Sequence, residues 1–277
     1  MTKLLMALVL MMCSLTSNAD GRLFYQPQSA DAALNAMQWR DIWQQSRTNG
    51  VHTLIVQWTR YGEENFGGET GWLASALREA ERQGIQLILG LSFDPAYYLS
   101  LPDNHRFATY WHQQLGLALQ QQEQVSEAWQ LDPVGWYLPY ELDDNIFRDS
   151  TTREELQNQL EGFITRLDQP LHMSAFTGGL LSPAVYAEWL LTLDEAGINL
   201  WWQDGRGTAA LEPVVRQAYE AALDCRIGII REAFRQTSGA DTMFQADPTT
   251  PLKPDACHET AVFSLRYRPW AASLHNK

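Results

Sequence analysis

Eight short apolar segments separated by longer connections constrain the fold of this chain more than any other feature of its sequence. Polar residues seldom alternate with apolar ones inside these segments, a pattern typical of parallel strands that are covered on both faces. Eight such units in 277 residues predict a single (β/α)8 barrel, an α/β fold known as the TIM barrel. The predicted strands are 21–26, 51–58, 85–93, 134–140, 171–177, 198–204, 226–234 and 260–268.

The connections differ in character. Amphipathic patterns predict helices over 31–50, 71–84, 104–131, 149–169, 182–197 and 211–224. The Gln-rich stretch at 120–124 is interpreted as a solvated helix face. The connection between the seventh and eighth strands is rich in Pro, Asp and Thr, and we expect an irregular crossover there. An open doubly wound sheet is the alternative fold, but no glycine-rich nucleotide turn follows the first strand.

The N-terminal residues have the pattern of a secretory signal peptide. Lys3 supplies a positive charge, Leu4–Met12 is an uncharged apolar run, and Ala19 is a small residue suited to cleavage. We expect a signal peptide at 1–19, a catalytic barrel domain at 20–277, and a periplasmic or secreted protein. Acylation at Cys13 as a lipoprotein is disfavoured, because a Met stands immediately before that cysteine.

The charge of the chain limits its partners. The formal net charge is -13, and no run of basic residues interrupts it. Such a chain is a poor ligand for nucleic acid or for an anionic membrane surface. No apolar run after the signal peptide approaches about 20 residues, so no stable membrane insertion is expected.

Two cysteines remain after the predicted cleavage, Cys225 and Cys257. Each lies just before a predicted strand, the seventh and the eighth, which are neighbours in a closed barrel. An even pair in an oxidising compartment predicts a disulfide at the N-terminal face of the barrel. The alternative is two unrelated buried thiols.

The C-terminal strand ends carry the active site in this barrel type. Here they are rich in aromatic, amide and carboxylate side chains, among them Gln26, Gln57 and Phe176. Aromatic rings stack on sugars, and planar polar groups bind sugar hydroxyls, so this composition predicts a carbohydrate substrate. The candidate substrate-binding residues are Trp58, Tyr61, Asp94, Tyr97, Tyr140, Asp144, Trp202, Gln203, Asp204 and Tyr267. Of these, we expect Trp58, Tyr97, Tyr140 and Trp202 to be partly exposed in one groove shared with Glu141.

Two carboxylates stand out at these ends. The stretch VGWYLPYELDD (134–144) is apolar as far as Pro139 and then reaches Glu141. Glu232 lies in the apolar run predicted as the seventh strand. Glycoside hydrolysis needs two carboxyl groups on either side of the scissile bond. Since the fourth and seventh strands face each other across a closed barrel, Glu141 and Glu232 are the predicted catalytic pair.

The placement of these two glutamates resembles the clan of retaining glycoside hydrolases with catalytic Glu on strands 4 and 7. More narrowly, GWYLPYELDD resembles secreted bacterial barrels catalogued as a domain of unknown function and regarded as glycoside-hydrolase-like. The resemblance implies Glu141 as acid/base and Glu232 as nucleophile. Tyr140 departs from the pattern, because many members of the clan carry Asn there to hold the sugar 2-hydroxyl.

Other chemistries have weaker support. The six His residues include no metal-ligand pair at helical or strand spacing, and no cofactor is expected. No G-x-S-x-G elbow and no phosphate-binding glycine loop is present. The alternatives that stay open are a barrel that binds polysaccharide without cleaving it and a structural subunit of envelope polysaccharide machinery.

Overall fold

The computed structural model describes residues 21–100, 106–239, 242–253 and 257–275, and the predicted signal peptide and Cys13 lie outside these ranges. Eight parallel strands close into a barrel in which each strand pairs with its neighbours in chain order and the last pairs with the first. The predicted (β/α)8 fold is therefore confirmed. The strands are β1 Arg22–Tyr25, β2 Thr53–Val56, β3 Gln86–Gly90, β4 Gly135–Asp143, β5 Leu171–Phe176, β6 Ile198–Gln203, β7 Gly228–Glu232 and β8 Thr260–Phe263.

Helices surround the barrel in the crossovers. Several begin at side chains that accept hydrogen bonds from free helical amides: Asn35 before the helix Ala36–Thr48, Asp149 before Ser150–Ile164 and Ser182 before Pro183–Glu195. The longer helices are α1 Ala36–Thr48, α2 Trp72–Arg82, α3 Phe107–Ala128, α4 Ser150–Ile164, α5 Pro183–Glu195 and α6 Pro213–Ala222. Short helices lie at Tyr97–Ser100 and Ala272–His275, and short 3-10 turns at Ser29–Ala33, Gly68–Thr70, Leu265–Tyr267 and Pro269–Ala271.

Strand alternation divides the core into two layers. Successive side chains of a strand point to opposite faces, so one set fills the barrel and the other packs under the helices. The inner cluster takes one residue from each of seven strands: Phe24, Ile55, Ile88, Tyr137, Trp201, Ile230 and Ala261. The outer cluster is larger and holds the barrel against its ring of helices.

Some predicted boundaries were wrong. The strand predicted at 134–140 continues to Asp143, with a shift in its register against β5 between Leu138 and Leu142. Pro139 lies within this shift and has no amide hydrogen to give to the ladder. The strand predicted at 260–268 ends at Phe263, since the chain turns there into a 3-10 helix. The helix predicted at 104–131 spans Phe107–Ala128.

The crossover from β7 to β8 contains no helix in its described residues, as predicted, but it is not wholly irregular. Phe234–Gln236 pairs antiparallel with Ala246–Pro248. We call this pair of strands and the chain between them the mouth hairpin. Because it directly follows β7, it stands at the C-terminal end of the barrel, next to the predicted catalytic residues.

The opposite end of the barrel carries the disulfide. Cys225 and Cys257 are bonded, with 5.2 Å between their Cα atoms, which confirms the predicted bridge. The two residues precede β7 and β8, so the bridge joins the N-terminal ends of adjacent strands. Within the described residues, no helix combines the length and the apolar character needed to cross a membrane.

Candidate active site

A cavity of about 1160 Å³ opens at the C-terminal end of the barrel. Its floor follows from strand alternation, because the residues two positions beyond the inner cluster point the same way. Thus Phe24 is followed by Gln26, Ile55 by Gln57, Trp201 by Gln203, Ile230 by Glu232 and Ala261 by Phe263, whereas Glu141 lies four positions beyond Tyr137, past the register shift of β4. The floor residues are Gln26, Gln57, Glu141, Phe176, Gln203, Glu232 and Phe263.

Glu141 lies in this floor and is held at both oxygens. Gln203 Nε2 donates to Oε1 at 2.7 Å, and the hydroxyl of Tyr98 donates to Oε2 at 2.6 Å. The neighbouring Tyr97 hydroxyl donates to the main-chain oxygen of Glu141 at 2.9 Å, which fixes the short helix at 97–100 over this strand end.

Glu232 shares the floor but is more enclosed, with only 3% of its surface exposed. Burial, together with the negative charges of Asp204 and Glu141, raises the pKa of Glu232 to about 8. Its Oε2 accepts a hydrogen bond from the amide of Gly207. A Cβ on Gly207 would lie 2.5 Å from the ring of Phe234, so only glycine lets this amide approach the carboxylate.

A buried ionic network stands behind Glu232. Arg231 donates to both oxygens of Glu220, at 3.0 and 2.6 Å, and lies 3.7 Å from Asp204. Asp204 Oδ1 in turn accepts from the amides of Arg206 at 3.2 Å and Glu232 at 3.4 Å. Asp204 is 4% exposed and does not line the cavity, so its charge acts on Glu232 and its carboxylate does not contact the cavity.

One wall of the cavity is aromatic and comes largely from the mouth hairpin. The ring of Phe234 lies 5.2 Å from that of Tyr267 and 5.7 Å from that of Phe244. Phe244 is 51% exposed, and Met243 beside it is 82% exposed. Tyr267 was predicted from the sequence. Phe244 and Met243 were missed, because the hairpin shows no strand periodicity in the sequence.

Four aromatic residues expected to be partly exposed in a groove beside Glu141 lie in the core instead. Strand alternation explains Trp58 and Trp202, because their neighbours Gln57 and Gln203 face the cavity. Tyr140 is turned outward, and its hydroxyl donates to the buried Gln114 at 2.9 Å. The exposed fractions are 7% for Trp58, 0% for Tyr97, 0% for Tyr140 and 1% for Trp202, so the prediction of exposure was wrong.

Three further candidates lie away from the cavity. Asp144 is fully buried and accepts four hydrogen bonds from the loop after β5: from the Thr177 hydroxyl at 2.8 Å and from main-chain amides at 2.6, 2.7 and 3.0 Å. These hydrogen bonds hold the loop in place, so Asp144 has a structural role. Asp94 lines a separate groove, and Tyr61 is 37% exposed outside the cavity.

Of the residues predicted for the site, the structure brings together Glu141, Glu232, Gln203 and Tyr267 in one cavity. Two carboxylates in different surroundings, amide side chains and an aromatic wall can bind a polyhydroxylated ring and transfer a proton beside it. Among the described residues, no group of three or more His, Cys, Asp or Glu side chains is arranged to hold a metal ion.

Comparison with known proteins places the chain in a family and a fold. A family model described as "Domain of unknown function (DUF4434)" matches residues 20–260. "Uncharacterized protein YbcH" of Escherichia coli (strain K12) is 32% identical over 291 residues, covering 96% of each chain. A solved structure from Bacteroides thetaiotaomicron VPI-5482, described as a "putative alpha-L-fucosidase", has a TM-score of 0.60 at 14% identity and covers 93% of this chain and 91% of its own. That likeness shows a shared fold.

Proposed function

The chain belongs to the DUF4434 family, and from this premise we propose that it is a glycoside hydrolase acting on a polysaccharide or oligosaccharide. Proteins that share a barrel fold catalyse different reactions, so the proposed activity depends on the residues of the site. The observation that carries it is the pair Glu141 and Glu232 in one cavity, one held by donors and the other buried with a raised pKa. The test is a screen of the purified protein against bacterial and plant polysaccharides, with released oligosaccharides as the readout.

In this mechanism Glu141 is the acid/base and Glu232 the nucleophile. Because the pKa of Glu232 is raised to about 8, this carboxyl carries a proton near neutral pH, and in the proposed mechanism that proton passes to Glu141 before the reaction begins. Glu141 then protonates the leaving oxygen while Glu232 attacks the anomeric carbon and forms a glycosyl ester. Water, deprotonated by Glu141, cleaves the ester and restores both carboxyl groups. The amide of Gly207 stabilises Glu232 in its ionised form.

The pH dependence of hydrolysis follows from the shared proton. Burial and the neighbouring negative charges raise the pKa of Glu232 to about 8, so above about pH 8 the proton that the proposed mechanism passes to Glu141 is lost. General acid catalysis needs this proton, so kcat/KM is expected to fall by about tenfold per pH unit above that pKa. The measurement is kcat/KM from about pH 5 to about pH 10.

A substitution of Asp204 tests the same pH prediction. The charge of Asp204 is one of the causes that raise the pKa of Glu232, so Asp204→Asn should move the alkaline fall to lower pH. A profile that instead rises through about pH 8 would contradict the need for this proton.

The aromatic wall is expected to hold a sugar ring. Removing the exposed ring in Phe244→Ala, or the ring of Tyr267 in Tyr267→Ala, should weaken substrate binding by about 1–3 kcal/mol. The matched control is Met37→Ala, which removes an exposed apolar side chain of α1 outside the cavity. Binding of an unreactive substrate analogue, measured by calorimetry, checks this; equal losses in the control and the wall variants would reject the wall as a binding surface.

The protein is also proposed to be exported. Residues 1–19 are proposed to be removed after Ala19, giving a periplasmic or secreted protein, and the Cys225–Cys257 bridge is consistent with an oxidising compartment. The intact mass of the exported protein tests the cleavage site. A protein of this kind would meet envelope polysaccharides, and the machinery that makes or exports them is the proposed partner.

The second candidate function is a barrel that binds polysaccharide without cleaving it. The observation that favours it is the near-complete burial of Glu232, since a glutamate with 3% of its surface exposed has limited access to substrate. Binding in the polysaccharide screen with no released product under any condition would support this alternative over hydrolysis.

A further inference from the structure

A second polar groove, separate from the cavity, lies between α3 and a short two-stranded ribbon. In the ribbon, Arg60–Tyr61 pairs parallel with Ser92–Phe93. We call this site the glutamine groove; it has a volume of about 470 Å³ and shares no lining residue with the cavity. Because the ribbon follows the C-terminal ends of β2 and β3, the groove lies at the same end of the barrel as the cavity.

The helix side of the groove is a stripe of amides. Gln113, Gln120 and Gln124 are exposed and, with Leu117, recur at helical spacing along one face of α3. The inner Gln121 is fixed, because its Nε2 donates to the Thr59 hydroxyl at 3.0 Å. The outer amides each present donors and an acceptor to the groove. The stretch interpreted from sequence as a solvated face therefore lines a concave site.

The ribbon side holds a buried hydroxyl that lacks a partner. Ser92 lines the groove and is 7% exposed, and its Oγ makes no hydrogen bond within the described residues. A buried polar group left unpaired is costly, so native proteins seldom keep one without use. Next to it, Phe93 presents a half-buried ring that stacks on Trp58 at 5.6 Å. A hydroxyl and an apolar ring lining one groove match a polar edge and an apolar face of a sugar.

The charges of the groove favour a neutral ligand. Arg60 lies 3.7 Å from Glu63, so its positive charge is partly compensated. The carboxylate of Asp94 accepts from the Tyr110 hydroxyl at 2.8 Å and from the amide of Ala96 at 2.8 Å. Uncharged amides make up most of the remaining polar surface. An anionic polymer would find no excess of positive charge here.

We propose that the glutamine groove is a second carbohydrate-binding site, which holds a neutral stretch of polysaccharide outside the cavity. Its volume is within the range of small-ligand sites. This inference rests on the proposal that the protein acts on carbohydrate. It assigns the groove to binding alone, so substitutions there should leave the hydrolysis of short substrates unchanged.

The experiment is affinity electrophoresis of the full mature protein in native gels. The probes are dextran, xylan, glucomannan and glycol chitin as neutral polymers, with alginate as the anionic one. At least one neutral polymer should retard the wild type, and Gln120→Ala/Gln124→Ala should raise the dissociation constant by about tenfold through the loss of two hydrogen bonds. The matched control is Gln44→Ala/Gln45→Ala, which removes two exposed glutamines from α1.

Ser92→Ala separates binding from folding. Removing an unpaired buried hydroxyl should leave the Tm equal or higher while weakening the retardation; a purely structural serine would instead lower the Tm and leave retardation unchanged. The proposal is overturned if the groove variants bind as the wild type does, if no neutral polymer retards the protein, or if only alginate does. Retardation without any hydrolysis would reject the enzyme function alone, whereas hydrolysis with unaffected groove variants would reject the groove alone.

Discussion

Replacing Glu141 or Glu232 with glutamine is expected to reduce glycoside hydrolysis by about a hundredfold to ten-thousandfold while leaving the barrel folded. Each substitution keeps the shape of the side chain and removes its ability to give or take a proton or to attack carbon. In Glu232→Gln, the Gly207 amide would lie against a neutral side-chain amide instead of the carboxyl group. The measurement is kcat/KM on the substrate that the polysaccharide screen identifies, with circular dichroism to confirm folding.

The same variants test which carboxylate has which role. A substrate whose leaving group is a weakly basic phenol needs no proton to depart, so Glu141→Gln should retain its first step on such an aryl glycoside. Glu232→Gln should lose activity on that substrate as well, because no glycosyl ester can form. Rescue of Glu232→Gln and not of Glu141→Gln by the better leaving group would mean that the roles are reversed.

The matched control is Glu188→Gln, the same change at an exposed glutamate of α5. It should keep wild-type turnover. Near-wild-type turnover in either cavity variant would show that the corresponding glutamate is not catalytic.

The barrel could be predicted from sequence because its strands are buried on both faces and therefore read as apolar runs. The carboxylates could be predicted because a charged residue is rarely buried inside a strand. One that occurs in an apolar run is therefore expected at the end of the strand. Glu141 and Glu232 illustrate this, and the structure places both in the cavity floor.

The aromatic residues were harder to assign, because two neighbours at a strand end face opposite ways and the sequence does not say which faces inward. Trp58 and Trp202 were favoured over Gln57 as binding residues, yet the amide lies in the floor and both rings are in the core. Counting alternate residues from the inner cluster identifies which side chain at each strand end faces the cavity. That count requires the register of the closed barrel.

The mouth hairpin lay beyond prediction for a different reason. Its apolar residues are few and do not alternate with polar ones over the length of a strand, so nothing in the sequence indicated that Phe244 would meet Phe234. Their contact depends on antiparallel pairing across a segment that reads as an irregular crossover.

Removing the disulfide should have the largest effect on stability. The bridge joins residues 32 positions apart and closes a loop that contains β7, Glu232 and the mouth hairpin. On the chain-entropy account, a loop of this length restricts the unfolded chain enough to stabilise the fold by about 3–4 kcal/mol. Cys225→Ala/Cys257→Ala should lower the free energy of unfolding by about this amount, measured by denaturant titration.

The double variant should lose stability while keeping its activity. The bridge lies at the N-terminal end of the barrel and the carboxylates at the other, so kcat/KM at low temperature should stay near the wild-type value. Thermal inactivation should begin earlier, because the loop that carries Glu232 and the aromatic wall opens more readily once it is no longer closed. Reducing agent should lower the stability of the wild type toward that of the variant and leave the variant unchanged. An unfolding free energy equal to that of the wild type would show that the loop is held by its own contacts and that the bridge adds nothing.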